Sequence, residues 1–263
     1  MHTEGIQAAG SRGASTTSCR QTLTLPDRLT FQRVSGTSDT TMNKTTNDAV
    51  PGKARQSRIR TMEAIREAAI SEFSQHGFAG ASTQAIALRA GLTKSQLHYY
   101  IEDKESLYAQ ILGELMSTWA HLFEFDEDSQ SPSDIISVYI RQKLHFAFKH
   151  PELSRIFTTE LLSGGHRLAT FWPDAVEQTN RKVAVIEGWV KAGKLRALDA
   201  RLLIMHMWAL TQYYADYAIQ AERMLGASLR GRKLQKHVLD ELVAFVLQGC
   251  GLAAEPLRAS LQE

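Results

Sequence analysis

The 263-residue chain is predicted to be all-α, and three observations lead there. From Arg55 onward, apolar residues recur at spacings of three and four, the period of one helix face. No segment alternates with period two over a length that would build a sheet. Glycines, prolines and small capping residues fall between the periodic segments, where helices start and stop. The pattern amounts to about nine helices, with no internal repeat.

Residues 1–50 stand apart. They hold 16 Ser and Thr and few large apolar residues, and residues 1–54 are read as a disordered extension, because such a composition buries too little to offset the entropy of ordering. Met42 lies just ahead of the periodic region. Residues 1–41 either precede the natural start or form a flexible arm; the first is preferred, since the segment carries no dense basic run to give an arm a task. Ile59, Met62, Ile65, Ala69 and Phe73 then define the apolar face of a first helix, which Gly77 ends. Ser82 or Thr83 caps a short helix carrying Ile86 and Leu88. Gly91 stops it, Thr93 caps the next, and Asp103 caps a long helix through Leu112 and Trp119. Pro132, Pro151 and Pro173 each sit near a helix start, where a missing N–H does no harm. Further helices are expected at about 133–149, 152–162, 174–192, 200–221 and 231–250. The domains read as 55–102, then 103–254, with 255–263 a flexible tail.

A formal net charge of +2 does not announce nucleic acid, so any such signal must be local. The two cysteines, Cys19 and Cys250, are too far apart for a metal spacing and suit a reducing compartment. The most apolar stretch, "LLIMHMWAL", is too short for a membrane span and contains His206. No signal-peptide core is evident at the N-terminus, and a cytoplasmic location is expected. There is no Gly-rich phosphate loop, HExxH or nucleophile elbow. The chain is therefore not read as an enzyme, and no cofactor or metal is expected.

The segment "STQAIALRAGLTKSQLHYYIEDKESLY" packs two short helices around one glycine. A helix-turn-helix needs this arrangement, because a compact turn lets the second helix project into a major groove. Ile86, Ala90, Leu92 and Leu97 would pin the pair to the first helix. Lys94, Ser95, Gln96, His98 and Tyr99 are left facing out, with Thr93 and Tyr100 at the ends of the same helix. The set mixes phosphate donors with groups that read base edges. Thr83 and Gln84, and Lys104 on the other side, would clamp phosphates. The order and spacing "F…GF…T…IA…AG…K…L.YY…DKE.LY" over about fifty residues resembles the N-terminal domain of the TetR family of transcriptional repressors. His98 stands where that family commonly has Tyr, and Ile101 replaces the usual Phe.

The second half is distinctive too. "YIRQKLHFAFKHPELSRIFTTELLSG", "VIEGWVKAGKL" and "MWALTQYYADYAIQAERMLGASL" resemble the pyrimidine-utilisation repressors of the same family, over roughly Arg55 to Gly249. This resemblance implies a nine-helix fold, a homodimer joined through the last two helices, a near-palindromic DNA operator, and a pocket for a pyrimidine base such as uracil or thymine. Ligand-relieved repression is what it implies for mechanism. Val243 and Val246 are the expected seam positions.

A flat ring with alternating donors and acceptors wants aromatic faces and a few fixed polar groups. Trp208, Thr211 and Gln212 lie at one-turn spacing, and the amide of Gln212 offers both a donor and an acceptor. Trp119 and Phe123 lie on the long helix, Tyr139 and Lys143 share a face of the next, and Glu160 sits in the apolar "RIFTTELL". These eight are the candidate effector contacts. Tyr213, Tyr214 and Tyr217 are read as core, and His145, His150, His166 and His206 as surface or core. Two rivals remain open: a repressor of an efflux system with a lipophilic effector, and an architectural DNA binder with no ligand and no cavity.

Overall fold

The computed structural model describes residues 52–122 and 131–253. The expected effector residue Phe123, the extension up to Pro51 and the tail from 254 lie outside those residues. Among the described residues there are ten α-helices, one 3₁₀ helix and no strand. They are α1 (Lys53–Gly80), α2 (Thr83–Arg89), α3 (Lys94–Tyr100), α4 (Lys104–Leu122), α5 (Pro132–Lys149), α6 (Pro151–Leu162), the 3₁₀ helix (His166–Phe171), α7 (Trp172–Lys191), α8 (Ala200–Asp216), α9 (Ala218–Leu225) and α10 (Arg232–Gly249). The chain expected over 200–221 as one helix breaks at Tyr217 (φ −110°, ψ 30°) into α8 and α9, which makes ten of nine. Helical structure begins at Lys53, two residues ahead of Arg55.

Local chemistry sets the helix ends near the N-terminus. Gly77 takes φ 65°, a conformation that costs a side-chain-bearing residue, and α1 breaks there before a last turn to Gly80. Ser82 Oγ accepts from Ala85 N at 3.4 Å. Gly91 lies at φ 71° in the turn between α2 and α3. Thr93 and Gln96 form a reciprocal capping box, with Thr93 N donating to Gln96 Oε1 at 2.8 Å and Gln96 N to Thr93 Oγ1 at 3.2 Å. Asp103 Oδ1 accepts from Ser106 N at 2.7 Å, and that bond holds the carboxyl below its usual range.

Ile65, Phe73, Ile86 and Leu97 are fully buried and hold α1, α2 and α3 together, each contributing roughly 1.5–3 kcal/mol by burial. Ile101 is buried as well. Leu88 departs from the expected apolar face: it is 76% exposed. This three-helix unit rests on the larger helical body, where α1 packs on α6, α5 on α8 and α10, and α7 on α8. Polar and cation–π contacts cross between them. Arg66 Nε on α1 donates to Glu114 Oε2 on α4 at 2.8 Å. Arg167, in the 3₁₀ helix, bonds Glu105 Oε1 at 3.0 Å and lies 3.7 Å from the centroid of Phe78.

Val243 and Val246 are buried within the chain, because that face of α10 packs on α5. They are not a seam. Apolar residues turned outward on these two helices include Leu202 and Met205 on α8 and Phe245 on α10. The tyrosine group is also less internal than expected: Tyr213 stacks on Tyr217 at 5.4 Å, but Tyr217 is 57% exposed.

Candidate DNA-binding surface and effector cavity

The first candidate surface is the outer face of α2 and α3. Gln84, Thr93, Lys94, Ser95, Gln96, His98 and Tyr99 are exposed, and Thr83 and Tyr100 are half-buried. With Leu97 turned inward, Ser95, His98 and Tyr99 are left on the outer side of α3. Tyr99 and Tyr100 meet edge to face at 5.3 Å, and the Arg58 guanidinium of α1 stands 5.9 Å from one ring and 5.7 Å from the other. Arg58 was missed in the sequence, because only the fold carries the start of α1 to the end of α3.

Two expected contacts read differently in the structure. Lys104 is half-buried and is not a free clamp: its Nζ donates to Phe78 O at 2.9 Å and Ala81 O at 3.0 Å, 4.5 Å over the Phe78 ring. It fastens the carbonyls left open where α1 ends. Gln96 has its side-chain oxygen committed to the α3 cap, a local role that competes with base reading.

The second candidate site is a cavity of about 730 Å³ in the larger helical body. Five of the expected residues meet there: Trp119 from α4, Tyr139 and Lys143 from α5, Trp208 and Gln212 from α8. Trp208 Nε1 donates to Tyr139 Oη at 2.6 Å. Burial holds the Tyr139 phenol above its ordinary range, so it keeps its proton. Trp119 meets Phe157 edge to face at 4.8 Å. Lys143 Nζ lies 4.7 Å from the Trp119 ring centroid, a cation–π contact. Burial, with the Lys182 charge second, brings the Lys143 ammonium down to about 7.

Gln212 is more engaged than a freely paired donor and acceptor. Its amide nitrogen donates to Ser154 O at 3.2 Å, Thr158 Oγ1 at 3.2 Å and Asp216 Oδ1 at 3.0 Å. Thr158 in turn donates to Asp216 Oδ2 at 2.8 Å. Burial raises the Asp216 carboxyl, opposed by these two hydrogen bonds. The Gln212 donor is thus spent within the protein, and its oxygen is the part left to meet a ligand.

Glu160 and Thr211 are not cavity residues. Glu160 is buried and accepts from Tyr108 Oη at 3.2 Å and from Arg167 N at 3.0 Å, so its oxygens are spent joining α4, α6 and the 3₁₀ helix. Burial, and then the Glu160 charge, push the Tyr108 phenol well above its ordinary range, which keeps it a donor. Thr211 is buried on the inner side of α8, its hydroxyl returned to Met207 O at 2.8 Å. Residues 208, 211 and 212 do not share one face, because 3.6 residues per turn places 211 about 60° from 208 and 100° from 212.

The sequence reading missed the opposite wall. Asp174, Gln178, Thr179 and Lys182 line the cavity from one side of α7, together with Phe171 and Trp172. The spacing of four, one and three was visible, but a polar helix face ordinarily means a solvated one.

Comparison with known proteins bears on both sites. The family model of bacterial regulatory proteins of the TetR family matches residues 65–111, and that of the YcdC-like protein C-terminal region matches residues 112–253. The HTH-type transcriptional regulator RutR of Escherichia coli strain K12 is 38% identical over 200 residues, 75% of this chain and 94% of RutR. The repressor SCO4008 of Streptomyces coelicolor is 30% identical over 156 residues, 57% of this chain and 78% of that protein. Among solved structures, the ketosteroid regulator KstR2 of Mycobacterium tuberculosis superposes with a TM-score of 0.60 at 18% identity, over 72% of this chain and 94% of that one. AibR in complex with isovaleryl coenzyme A and operator DNA gives 0.57 at 17% identity, over 71% and 97%. These two share the fold. The relatives are transcriptional regulators, not enzymes. A capped helix-turn-helix on a helical body, matched along both parts, makes this chain a homologue of RutR and a member of the TetR family of DNA-binding transcriptional regulators.

Proposed function

We propose that the protein is a cytoplasmic, homodimeric repressor whose operator affinity is set by a small planar effector, a pyrimidine base such as uracil or thymine, and that it governs genes of pyrimidine or nitrogen catabolism. The observation that carries this reading is the cavity: indole and phenol groups of Trp119, Tyr139 and Trp208 beside the fixed amide of Gln212. Aromatic walls with a few held polar groups suit a flat, hydrogen-bonding ring. The likeness to RutR supports the choice of ring. A cavity of this size argues against a purely architectural DNA binder. The candidate DNA contacts are Thr83, Gln84, Lys94, Ser95, His98, Tyr99 and Tyr100, and outward-facing Leu202, Met205 and Phe245 support a partner copy. An operator read by two copies has half-sites about 34 Å apart.

The ligand acts only if it binds the two conformations unequally. Trp119 sits on α4, which begins beside the helix-turn-helix, so its contacts are placed to alter how α4 packs. A tenfold loss of operator affinity needs about 1.4 kcal/mol of coupling. The test is an operator-binding titration with and without uracil, on the parent and on Trp208→Ala. Release of the parent by uracil, abolished in the variant, is the expected result. Response to a lipophilic compound and none to uracil would move the assignment to the efflux class.

A further inference from the structure

A short element touches both the cavity and the three-helix unit. The 3₁₀ helix ends at Phe171, which lines the cavity and rests on α4: a methyl group in place of a Gly113 hydrogen would sit 3.6 Å from Phe171 Cζ. From Phe171 the chain enters α7 without a loop, since Trp172 is already helical (φ −60°, ψ −43°). A shift of the α7 wall is therefore handed directly to the 3₁₀ helix.

The other end grips the three-helix unit. The Arg167 guanidinium stands 3.7 Å from the Phe78 ring centroid, donates from Nε to Glu105 Oε1 at 3.0 Å and lies 3.7 Å from Glu160 Oε2. One planar group thus meets the end of α1, the first turn of α4, and α6. Phe78 follows the break at Gly77, and Lys104 holds its carbonyl together with that of Ala81. The next residue, Ser82, is the cap of α2. Movement of Phe78 therefore reaches the start of the helix-turn-helix.

The 3₁₀ helix is built to rock. Its start is pinned by Arg167 N on Glu160 Oε1 at 3.0 Å. Gly164 and Gly165 before it take φ 100° and 66°, so its link to α6 consists of residues with wide backbone freedom. Hydrogen bonds of a 3₁₀ helix are also poorer than those of an α-helix. Four residues at about 2.0 Å of rise set Phe171 roughly 8 Å from Arg167. A tilt at Phe171 about the pinned start moves the Arg167 side chain against Phe78.

We propose that the 3₁₀ helix is the lever through which an occupied cavity acts on DNA binding, with Phe171 receiving the displacement and Arg167 delivering it to Phe78. This rests on the reading of the cavity as the effector site, and it adds a route to the one through Trp119 and α4. Such a route requires that effector and DNA bias the same two arrangements of the element: Arg167 stacked on Phe78, and Arg167 displaced from it. Lysine at 167 would keep a charge toward Glu105 and Glu160 but lose the planar face.

The experiment has two arms, both on an operator selected from random duplexes. In the first, operator affinity is titrated with and without uracil on the full chain, on Arg167→Lys and on Phe78→Leu, beside uracil binding to the DNA-free proteins by tryptophan fluorescence. A parental response of roughly tenfold should fall below about twofold in both variants. Uracil should still bind each variant within about threefold of the parent, with helical circular dichroism unchanged. The second arm needs no effector. Phe171→Ala should change operator affinity about fivefold or more in the parent, and less than about twofold when Phe78→Leu is already present. Full release by uracil in both variants, no effect of Phe171→Ala on the operator, or an effect that simply adds to that of Phe78→Leu would each overturn the proposal. A parent silent to uracil, with the second arm non-additive, would remove the pyrimidine and sustain the lever.

Discussion

On α3, Lys94, Ser95 and His98 stand in solvent, while in the cavity Gln212, Thr158, Asp216, Tyr139 and Trp208 are already bonded to one another. The two regions solve different problems. A duplex brings a dense row of phosphates, so the helix meeting it can keep its donors hydrated until contact, at little cost in water. A small ligand brings few groups, so an enclosed site must hold its own polar atoms in hydrogen bonds whether or not the ligand is there, because an unpaired buried group costs about 1–3 kcal/mol. Side chains that look equally polar in the sequence therefore divide into reserve and structure. Glu160, Lys104 and Gln96 fall on the structural side, and each gives a way to test the division.

The largest effect belongs to Glu160. Replacing it with Leu leaves the buried Tyr108 hydroxyl and the Arg167 backbone N–H without their acceptor and removes an ion pair of 3.7 Å to Arg167. Loss of one partner from a buried charged network costs about 3 kcal/mol. Urea unfolding should show a loss of that order. A change below about 1 kcal/mol would mean that Glu160 is not a structural joint and would return it to the candidates for ligand contact.

Lys104 comes next. Lys104→Met keeps the stem over Phe78 and deletes two charge-assisted bonds to carbonyls, for a cost of about 2 kcal/mol. The contrast with Lys94 makes this a comparison. Lys94→Ala should leave stability nearly unchanged and lower the slope of log affinity against log salt by about 0.9, one phosphate contact. A Lys104 variant with full stability and a reduced salt slope would place it back among the phosphate clamps.

What was legible in the sequence follows the same line. Caps and turns are encoded within four or five residues, so Ser82, Gly91, Thr93 and Asp103 were readable as helix boundaries. Outward residues of α3 were readable because burying Leu97 fixes where its neighbours point. The cavity is assembled from α4, α5, α6, α7 and α8, and no local pattern says which faces of five helices enclose a space. Trp119, Tyr139, Lys143, Trp208 and Gln212 were found from residue type and family likeness. The α7 wall was not, since Asp174, Gln178, Thr179 and Lys182 look like any wetted helix face until α8 packs beside it. The 3₁₀ helix at "HRLATF" was missed as well: no element was expected between 162 and 174, and its anchor is the backbone N–H of Arg167 on Glu160 of α6, a pairing no local pattern announces.

The smallest effect is the most discriminating, because Gln96 lies on the candidate DNA-binding surface yet serves the fold. Its side-chain oxygen accepts from Thr93 N, and its own N–H donates to Thr93 Oγ1. Gln96→Ala removes half of the capping box and should cost about 0.5–1 kcal/mol. Gln96→Glu keeps an acceptor at the same position and places a negative charge in the first turn, where the helix dipole favours it. The Glu variant should therefore regain the stability that the Ala variant loses. Operator binding separates the two further. If Gln96 only shapes the helix, the Ala variant weakens all operator sequences alike, and the Glu variant weakens them more through repulsion of phosphate. If Gln96 reads a base, the Ala variant shifts preference at one operator position while unfolding at the parental urea concentration. Binding to a panel of single-base operator variants, paired with urea melts of the three proteins, decides between them.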